Sequence, residues 1–515
     1  MRNLALAQTG FLPKNLKRLA KELAPPLQRL ILRILKEGKW PALWLKRNIF
    51  PLFKKKNAHD PSCYRGIHLT AQLSKVAERI IGTAWIPHVS ETGGFGENQF
   101  AYDKNRGCRD ALALLVLSFL SGFIKKQRFG LYCSDVSGAF DKVQAERMIK
   151  RLRSKGVSEQ VISVVESWLH GRSAVVTVGG ASSESFSMVN MLFQGTTWGP
   201  PLWNCFYESA ASPIKENGFA EVVFADDLNC FKSFDREVED SDILSDVDSC
   251  QESLHSWGRG NQVSFDANKE SKHIVSRTRP SGENFTILGV CFDCKLLMTD
   301  AVETLVGECR WKLYKILRSQ QFFKASEIIG LYKSQILSFI EYRTAAIYHC
   351  CTTALLHLDH IQERMLEAVG VSELDAFLHF NLAPLAMRRD LAMLGLIHRT
   401  VIGRGPKHFK QFFVREPVAH ARHSLSIKEY TGDATDFVPW NPGGARDYIE
   451  RSALGLARIY NLIPARFVEE ANTVQLFQAS LQNMAKQAAE SGLTNWRELF
   501  SPRIASLHHP LRQSV

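Results

Sequence analysis

Apolar and polar positions alternate through "RFGLYCSDVSGAF", with Phe129, Leu131 and Cys133 on one side, the period of a half-buried strand. The period then lengthens. In "DKVQAERMIKRLRSKG", Val143, Ile149 and Leu152 form a helical stripe that Gly156 is placed to stop. "SAVVTVGGASSESFSM" reads as a hairpin about a Gly-Gly turn. "QGTTWGPPLWNCFYESA" reads as a loop entering a helix, because proline is tolerated in the first helical turn. "VVFADDLNCF", from Val222 to Phe231, reads as a second hairpin with two carboxylates at its tip. Asp235 to Glu252 reads as a helix with a solvated acidic face, and "FTILGVCFDCKLLM" as a short β element.

Elsewhere the pattern is helical or broken. Residues 1–45 read as a basic amphipathic helix interrupted by Pro25 and Pro26, and residues 46–130 as short loops and helices. Within them, "ALALLVLSFLSGF" from Ala111 is apolar all round, which predicts a buried helix. Helical spacing returns over 300–400, for example Leu305, Leu313, Ile316 and Leu317. Residues 414–446, with "VPWNPGGAR", read as a polar linker. The succession of strand, helix, hairpin, helix and hairpin predicts an α+β fold with helices packed on an antiparallel sheet.

A chain of 515 residues is long enough for two to four domains. Its apolar runs fall short of the roughly 18 residues that span a bilayer, so no membrane partner is expected. The N-terminus has no secretory pattern. Eleven scattered cysteines, an odd number, point to a reducing setting, nucleus or cytoplasm, over a disulfide framework. Net charge is +12, and residues 1–60 hold 14 Lys and Arg against 3 Asp and Glu. That surplus, including Lys54 to Lys56, suits a phosphate backbone or an ordinary solvated face.

Two adjacent carboxylates at a buried turn are costly unless a cation neutralises them. Mg²⁺ takes oxygen ligands and shares its sites with phosphates. A third carboxylate would complete a site for two ions about 4 Å apart. Asp135, ending the alternating strand, is the natural third member beside Asp226 and Asp227. Singly, an Asp-Asp pair is an ordinary turn and a strand-end Asp an ordinary helix cap.

The combination is more specific. "LYCSDVSGAFDKV", "FQGTTWGPPLWN" and "VVFADDLNCF" resemble motifs A, B and C of reverse transcriptases, most closely the non-LTR, LINE-type retrotransposon family. "HDPSCYRGIHLTAQLSKVAERII" and "ENQFAYDKNRGCRDAL" resemble its fingers motifs, "VSFDANKES" its motif D, and "FTILGVCFD" its motif E. The resemblance covers about residues 45 to 400. It implies a right-hand polymerase, with a basic helical segment at 1–45, fingers at 46–130, palm at 131–298 and a helical thumb at 299–402. Residues 403–515 are then a linker and a helical region of no assigned role.

The resemblance also implies the chemistry. Asp135, Asp226 and Asp227 would hold two Mg²⁺ ions, or Mn²⁺, with the Val136 carbonyl joining them. The substrate would be a dNTP, added to a primer DNA on a template RNA. Phe140 falls at the steric gate, where an aromatic ring excludes a ribose 2′-hydroxyl. Gln194 and Gly195 match the motif B pair that approaches nucleotide and template, where glycine lets the backbone come close and a helix end favours phosphate. Arg65 matches a fingers arginine, and Lys269 the motif D lysine that would protonate pyrophosphate. Arg310, Lys312, Lys315 and Arg318 are thumb candidates for phosphate contact.

There are departures. Gly66 stands where the family usually has proline. Ala101, Tyr102 and Asp103 stand for "GFR", so Arg106 is the substitute cation; Trp198 replaces an aliphatic residue and Asp266 an asparagine. No endonuclease is expected upstream, so a separate chain would supply nicking. Cys291 and Cys294, and His349 to Cys351 with His357 and His360, read as core side chains ahead of zinc ligands. The alternative to an enzyme is an inactive or domesticated retroelement fragment that binds RNA or DNA.

Overall fold

The alternating run does form a strand, Arg128–Ser137, and the stripe after it does form a helix, Ala145–Ser154, ahead of Gly156 at φ +77°. The computed structural model describes residues 13–54, 57–189, 191–430, 445–504 and 509–513. Over them the chain is α+β, helices with largely antiparallel strands, as expected. Residues 1–12, Lys55, Lys56 and the linker segment 431–444, three places where the sequence carried expectations, lie outside the described residues. The chain divides into two compact units.

The first unit comprises Met1–Asp103, Ser134–Cys230 and Asp248–Glu270. Its strands are β1 (Lys46–Phe53), β2 (Tyr64–Leu69), the end of β3 (Arg128–Ser137), β4 (Arg172–Val178), β5 (Ala181–Ser182), β6 (Phe186–Met188), β7 (Ala220–Phe224), the start of β8 (Asp227–Phe234) and β9 (Ser264–Phe265). One sheet runs β2-β1-β4-β5, with β6 also on β4. Gly179 and Gly180, at φ +58° and +90°, make the β4–β5 turn that the Gly-Gly pair predicts. In the second sheet β8 lies between β3 and β7, and β9 pairs with β3 at Val136↔Phe265.

Two expectations are corrected here. Residues 46–53 and 64–69 are strands, not loops and helices, and β1 pairs parallel with β4, Asn48 against Val175. Pro51 obscures β1 in the sequence. It sits opposite Gly66 on the β2 side, beyond Lys46–Ile49, the stretch that pairs with β4. On that open side no backbone donor is needed. The helix Ala20–Glu37 is also uninterrupted by Pro25 and Pro26. Each proline removes one intrahelical bond, and the helix continues into a turn anchored by buried Ile31 and Ile34.

The second unit comprises Lys104–Cys133, Phe231–Val247 and Ser271–Val515. The helix Cys108–Ile124 is buried along most of its length, as its all-round apolar sequence predicts. Strand β10 (Ser271–Val275) pairs antiparallel with the first half of β3, and β11 (Phe285–Ile287) forms a hairpin with β12 (Val290–Phe292). Helices follow, among them Thr299–Leu317, Thr352–Val369, Leu385–Val401 and Val474–Glu490. His349 is buried and bonded to the Leu296 carbonyl at 3.0 Å, and Cys294 is buried with its thiol 3.5 Å from the Gly282 carbonyl. These are core contacts. All eleven cysteines are free, and no helix among the described residues is long and apolar enough to cross a membrane.

Candidate active site

The site is built on the β7–β8 hairpin. Its apolar strands bury Val222, Val223, Leu228 and Cys230, and its turn is only Ala225-Asp226. Ala225 has φ +60°. A left-handed conformation costs a residue with a Cβ roughly 1–2 kcal/mol, so something must hold it. That is Gln99. Its amide oxygen accepts from Ala225 N at 2.8 Å and from Ala101 N at 3.0 Å, while its nitrogen donates to Ala225 O at 3.1 Å. The Trp203 indole donates to the same carbonyl at 2.9 Å. The backbone beside Gln99 is tied to β7, with Phe100 N bonded to Val223 O and Val223 N to Asn98 O. The sequence reading quoted Gln99 only within a motif and gave it no role; a buried amide among aromatics is the signal that could have found it.

The turn presents Asp226 and Asp227, both partly buried. Burial pushes the Asp226 carboxyl upward, Asp135 pushes it further, and Lys269 and Arg65 oppose. Asp227 is pushed up to about 6, by burial first and then by Asp135 and Asp226. The fold therefore brings residues 135, 226 and 227 within electrostatic reach although 91 positions separate the first two. Asp135 is ion-paired with the Lys269 ammonium, which also lies 3.7 Å from Asp266. The Asp135 carbonyl accepts from Asp266 N at 3.0 Å, next to the buried, β9-paired Val136. Lys269 is thus neither purely solvated nor remote; it neutralises one of the three carboxylates.

Arg65, exposed on β2, acts electrostatically on Asp226 and on the Tyr102 phenol. Tyr102 has φ +63° and an exposed ring, and burial, then Asp226, pushes its hydroxyl up. A strained, exposed aromatic beside the carboxylates stands where the sequence departs from the motif it resembles. Phe140 lies in the short turn Ala139–Lys142, its carbonyl accepting from Leu192 N at 2.6 Å. Its ring stacks on Trp203, centroids 5.7 Å apart at 20°.

Gln194 and Gly195 lie against β2. The Gln194 N–H donates to His68 Nδ1 at 3.1 Å, which fixes the neutral ring with its hydrogen on Nε2. Burial, then Arg47 and Arg172, holds His68 down at about 4, in agreement. Gly195 has φ +95°, and a Cβ there would stand 3.2 Å from the His68 carbonyl. Gly195→Ala is expected to cost about 1–3 kcal/mol in urea unfolding; an unchanged midpoint would show that the loop yields freely.

The helix that follows, Gly199–Tyr207, does not offer an open end for phosphate. Glu78, buried on the helix Gln72–Gly82, takes Thr197 N at 2.6 Å and Trp198 N at 3.4 Å, and also binds Trp168 and Ser74. The sequence reading assigned Glu78 no role.

An oxygen-only donor set, burdened by its own repulsion, is chemistry that fits a hard divalent cation. Among the described residues, no group of three or more His, Cys, Asp or Glu side chains is arranged to hold a metal ion. Asp135 would have to leave Lys269 to join such a group.

Other expected contacts belong to the second unit. Arg106 lines a 690 Å³ cleft with Arg109, Arg399 and Arg404. Arg310, Lys315 and Arg318 are exposed on or next to the helix Thr299–Leu317, among exposed Trp311 and Tyr314; Lys315 lies 3.3 Å from the Trp311 ring centre. Lys312 lies over Phe339 at 4.4 Å.

Residues 53–292 match the family described as reverse transcriptase (RNA-dependent DNA polymerase). The RNA-directed DNA polymerase from mobile element jockey of Drosophila funebris is 23% identical over 360 residues, covering 65% of this chain and 39% of that protein. The probable RNA-directed DNA polymerase from transposon X-element of Drosophila melanogaster is 21% identical over 350 residues, covering 64% and 38%. The chain thus spans about two fifths of the length of these relatives. Apo telomerase from Candida tropicalis is similar with a TM-score of 0.38 and 11% identity, over 71% of this chain and 63% of that one. The matched segment, just under half of the chain, holds both the Asp135 strand and the Asp226 hairpin, and over about two thirds of its length the chain is similar to RNA-directed DNA polymerases of mobile elements.

Proposed function

We propose that the chain is an RNA-directed DNA polymerase that extends a DNA 3′ end on an RNA template with dNTPs. One observation carries this reading. Asp135 and the Asp226-Asp227 pair, far apart in sequence, share one electrostatic field at adjacent strand ends, inside the segment that matches the reverse transcriptase family. Two Mg²⁺ or Mn²⁺ ions bound there would supply Lewis-acid activation of the 3′-hydroxyl and charge stabilisation on the departing pyrophosphate. The chain's own residues do the rest. Gln99 holds the turn that presents the carboxylates, and Phe140 occupies the gate position. Arg65 brings positive charge toward Asp226 for a triphosphate to meet. Lys269 neutralises Asp135, and its exposed ammonium is available to the pyrophosphate once Asp135 turns away. We assign fingers, palm and thumb to residues 46–130, 131–298 and 299–402. The exposed basic and aromatic side chains from Arg310 to Arg318 suit a nucleic-acid backbone.

One observation favours a second reading, a nucleic-acid binder without chemistry: Lys269 already satisfies Asp135. Primer extension on poly(rA)/oligo(dT) separates the two. Incorporation of dTMP with Mg²⁺ or Mn²⁺ is expected. Folded protein that binds the duplex, loses it steeply with salt and incorporates nothing with either metal would establish the binder instead.

A further inference from the structure

We propose that Trp203 is a positioning residue for sugar discrimination, the plate that holds the Phe140 ring at its gate. The inference rests on the polymerase reading and deepens it. Trp203 is fully buried in the helix Gly199–Tyr207. Its indole is fixed at one end by the 2.9 Å bond to Ala225 O, the carbonyl that Gln99 also binds. Its ring stacks on Phe140 at 5.7 Å and 20°, and on Tyr207 at 5.1 Å and 17°. One side chain therefore touches both halves of the site: the turn that carries Asp226 and the ring that would meet a 2′-hydroxyl.

The two links differ in redundancy. Ala225 keeps its Gln99 bonds if the indole N–H is lost, so the carboxylates keep their frame. Phe140 lies in an irregular turn, with its carbonyl bonded to Leu192 N. Among the described residues, the aromatic ring that stacks on it is Trp203. A gate works by clash, and a clash discriminates only if the ring cannot yield. Loss of the plate should therefore spare dNTP use and relax rejection of ribonucleotides.

The test is the ratio of kcat/KM for dTTP to that for UTP on poly(rA)/oligo(dT), in wild type, Trp203→Phe, Trp203→Met, Phe140→Val and Trp203→Met with Phe140→Val. Aromatic pairs are worth enough to expect about a tenfold fall in the ratio for Trp203→Met and about threefold for Trp203→Phe, with kcat for dTTP within about threefold of wild type. In the Phe140→Val background, Trp203→Met should lower the ratio no further, because the ring it supports is gone. A general packing defect would instead depress use of both nucleotides and add to Phe140→Val. An unchanged ratio in the Trp203 variants, or an additive effect, overturns the proposal while the polymerase reading stands. If Trp203→Met does not fold, Trp203→Phe decides alone. A wild type with no incorporation overturns the polymerase reading itself.

Discussion

Asp226→Asn is expected to end nucleotide incorporation while making the metal-free protein harder to unfold. The first effect follows from ligand loss. Lewis-acid stabilisation of a transferring phosphoryl group is worth several kcal/mol, so a fall of about a thousandfold or more is expected in primer extension. The second follows from the charge arrangement. Asp226 is partly buried beside Asp135 and Asp227, and burial and Asp135 both push its carboxyl upward. A carboxyl whose folded value exceeds its unfolded value destabilises the fold once ionised; its favourable contribution exists at low pH and is lost as pH rises through the folded value. Asn removes one charge and relieves Asp227, itself pushed up to about 6. Stabilisation of about 1 kcal/mol is expected at pH 8, shrinking toward zero near pH 4. Urea unfolding in chelator at both pH values, beside primer extension, measures the pair. Activity within tenfold of wild type, or lower stability at pH 8, contradicts this account of the hairpin tip.

Glu78→Ala should be the most damaging substitution outside the reacting groups. The carboxylate is buried and accepts from Thr197 N, Trp198 N, the Trp168 indole and the Ser74 hydroxyl. Arg47 is buried and interacts with it electrostatically, and burial pushes the guanidinium of Arg47 downward while Glu78 opposes. Removal leaves donors without an acceptor and takes away the anion that offsets a buried cation. A loss of about 3–5 kcal/mol is expected. Glu78→Gln keeps one acceptor oxygen but turns an amide nitrogen toward other donors, so about 1–3 kcal/mol is expected. Denaturant midpoints read both. If Glu78→Ala lies within 1 kcal/mol of wild type, the loop ahead of Gly199 is held by something else.

The elements legible in the sequence are those whose cause is local. The β3 alternation, the Gly179-Gly180 turn and the all-round apolar helix at Cys108 declare themselves within a dozen residues. So do Asp135 and the Asp226-Asp227 pair, because carboxylates interrupting apolar strands stand out against their flanks. What stayed hidden depends on distant partners. Gln99 gains its role from Ala225, 126 positions on, and Glu78 from Thr197, 119 positions on. The parallel pairing of β1 with β4 joins segments that no local pattern connects. Lys269 illustrates the same limit: its sequence context allows a proton donor or a solvated cation, and the fold adds a third state, bonded to Asp135.

The bond between residues 99 and 225 also ties the acidic tip to a segment synthesised 126 residues before it. Left-handed Ala225 finds its restraint only when that segment is docked against β7. Until then the nascent hairpin is free to relax its repelling groups into water. Crowding the like charges together thus depends on the docked frame, and a chain in which that segment is detached carries the acidic residues without the arrangement that would let them act.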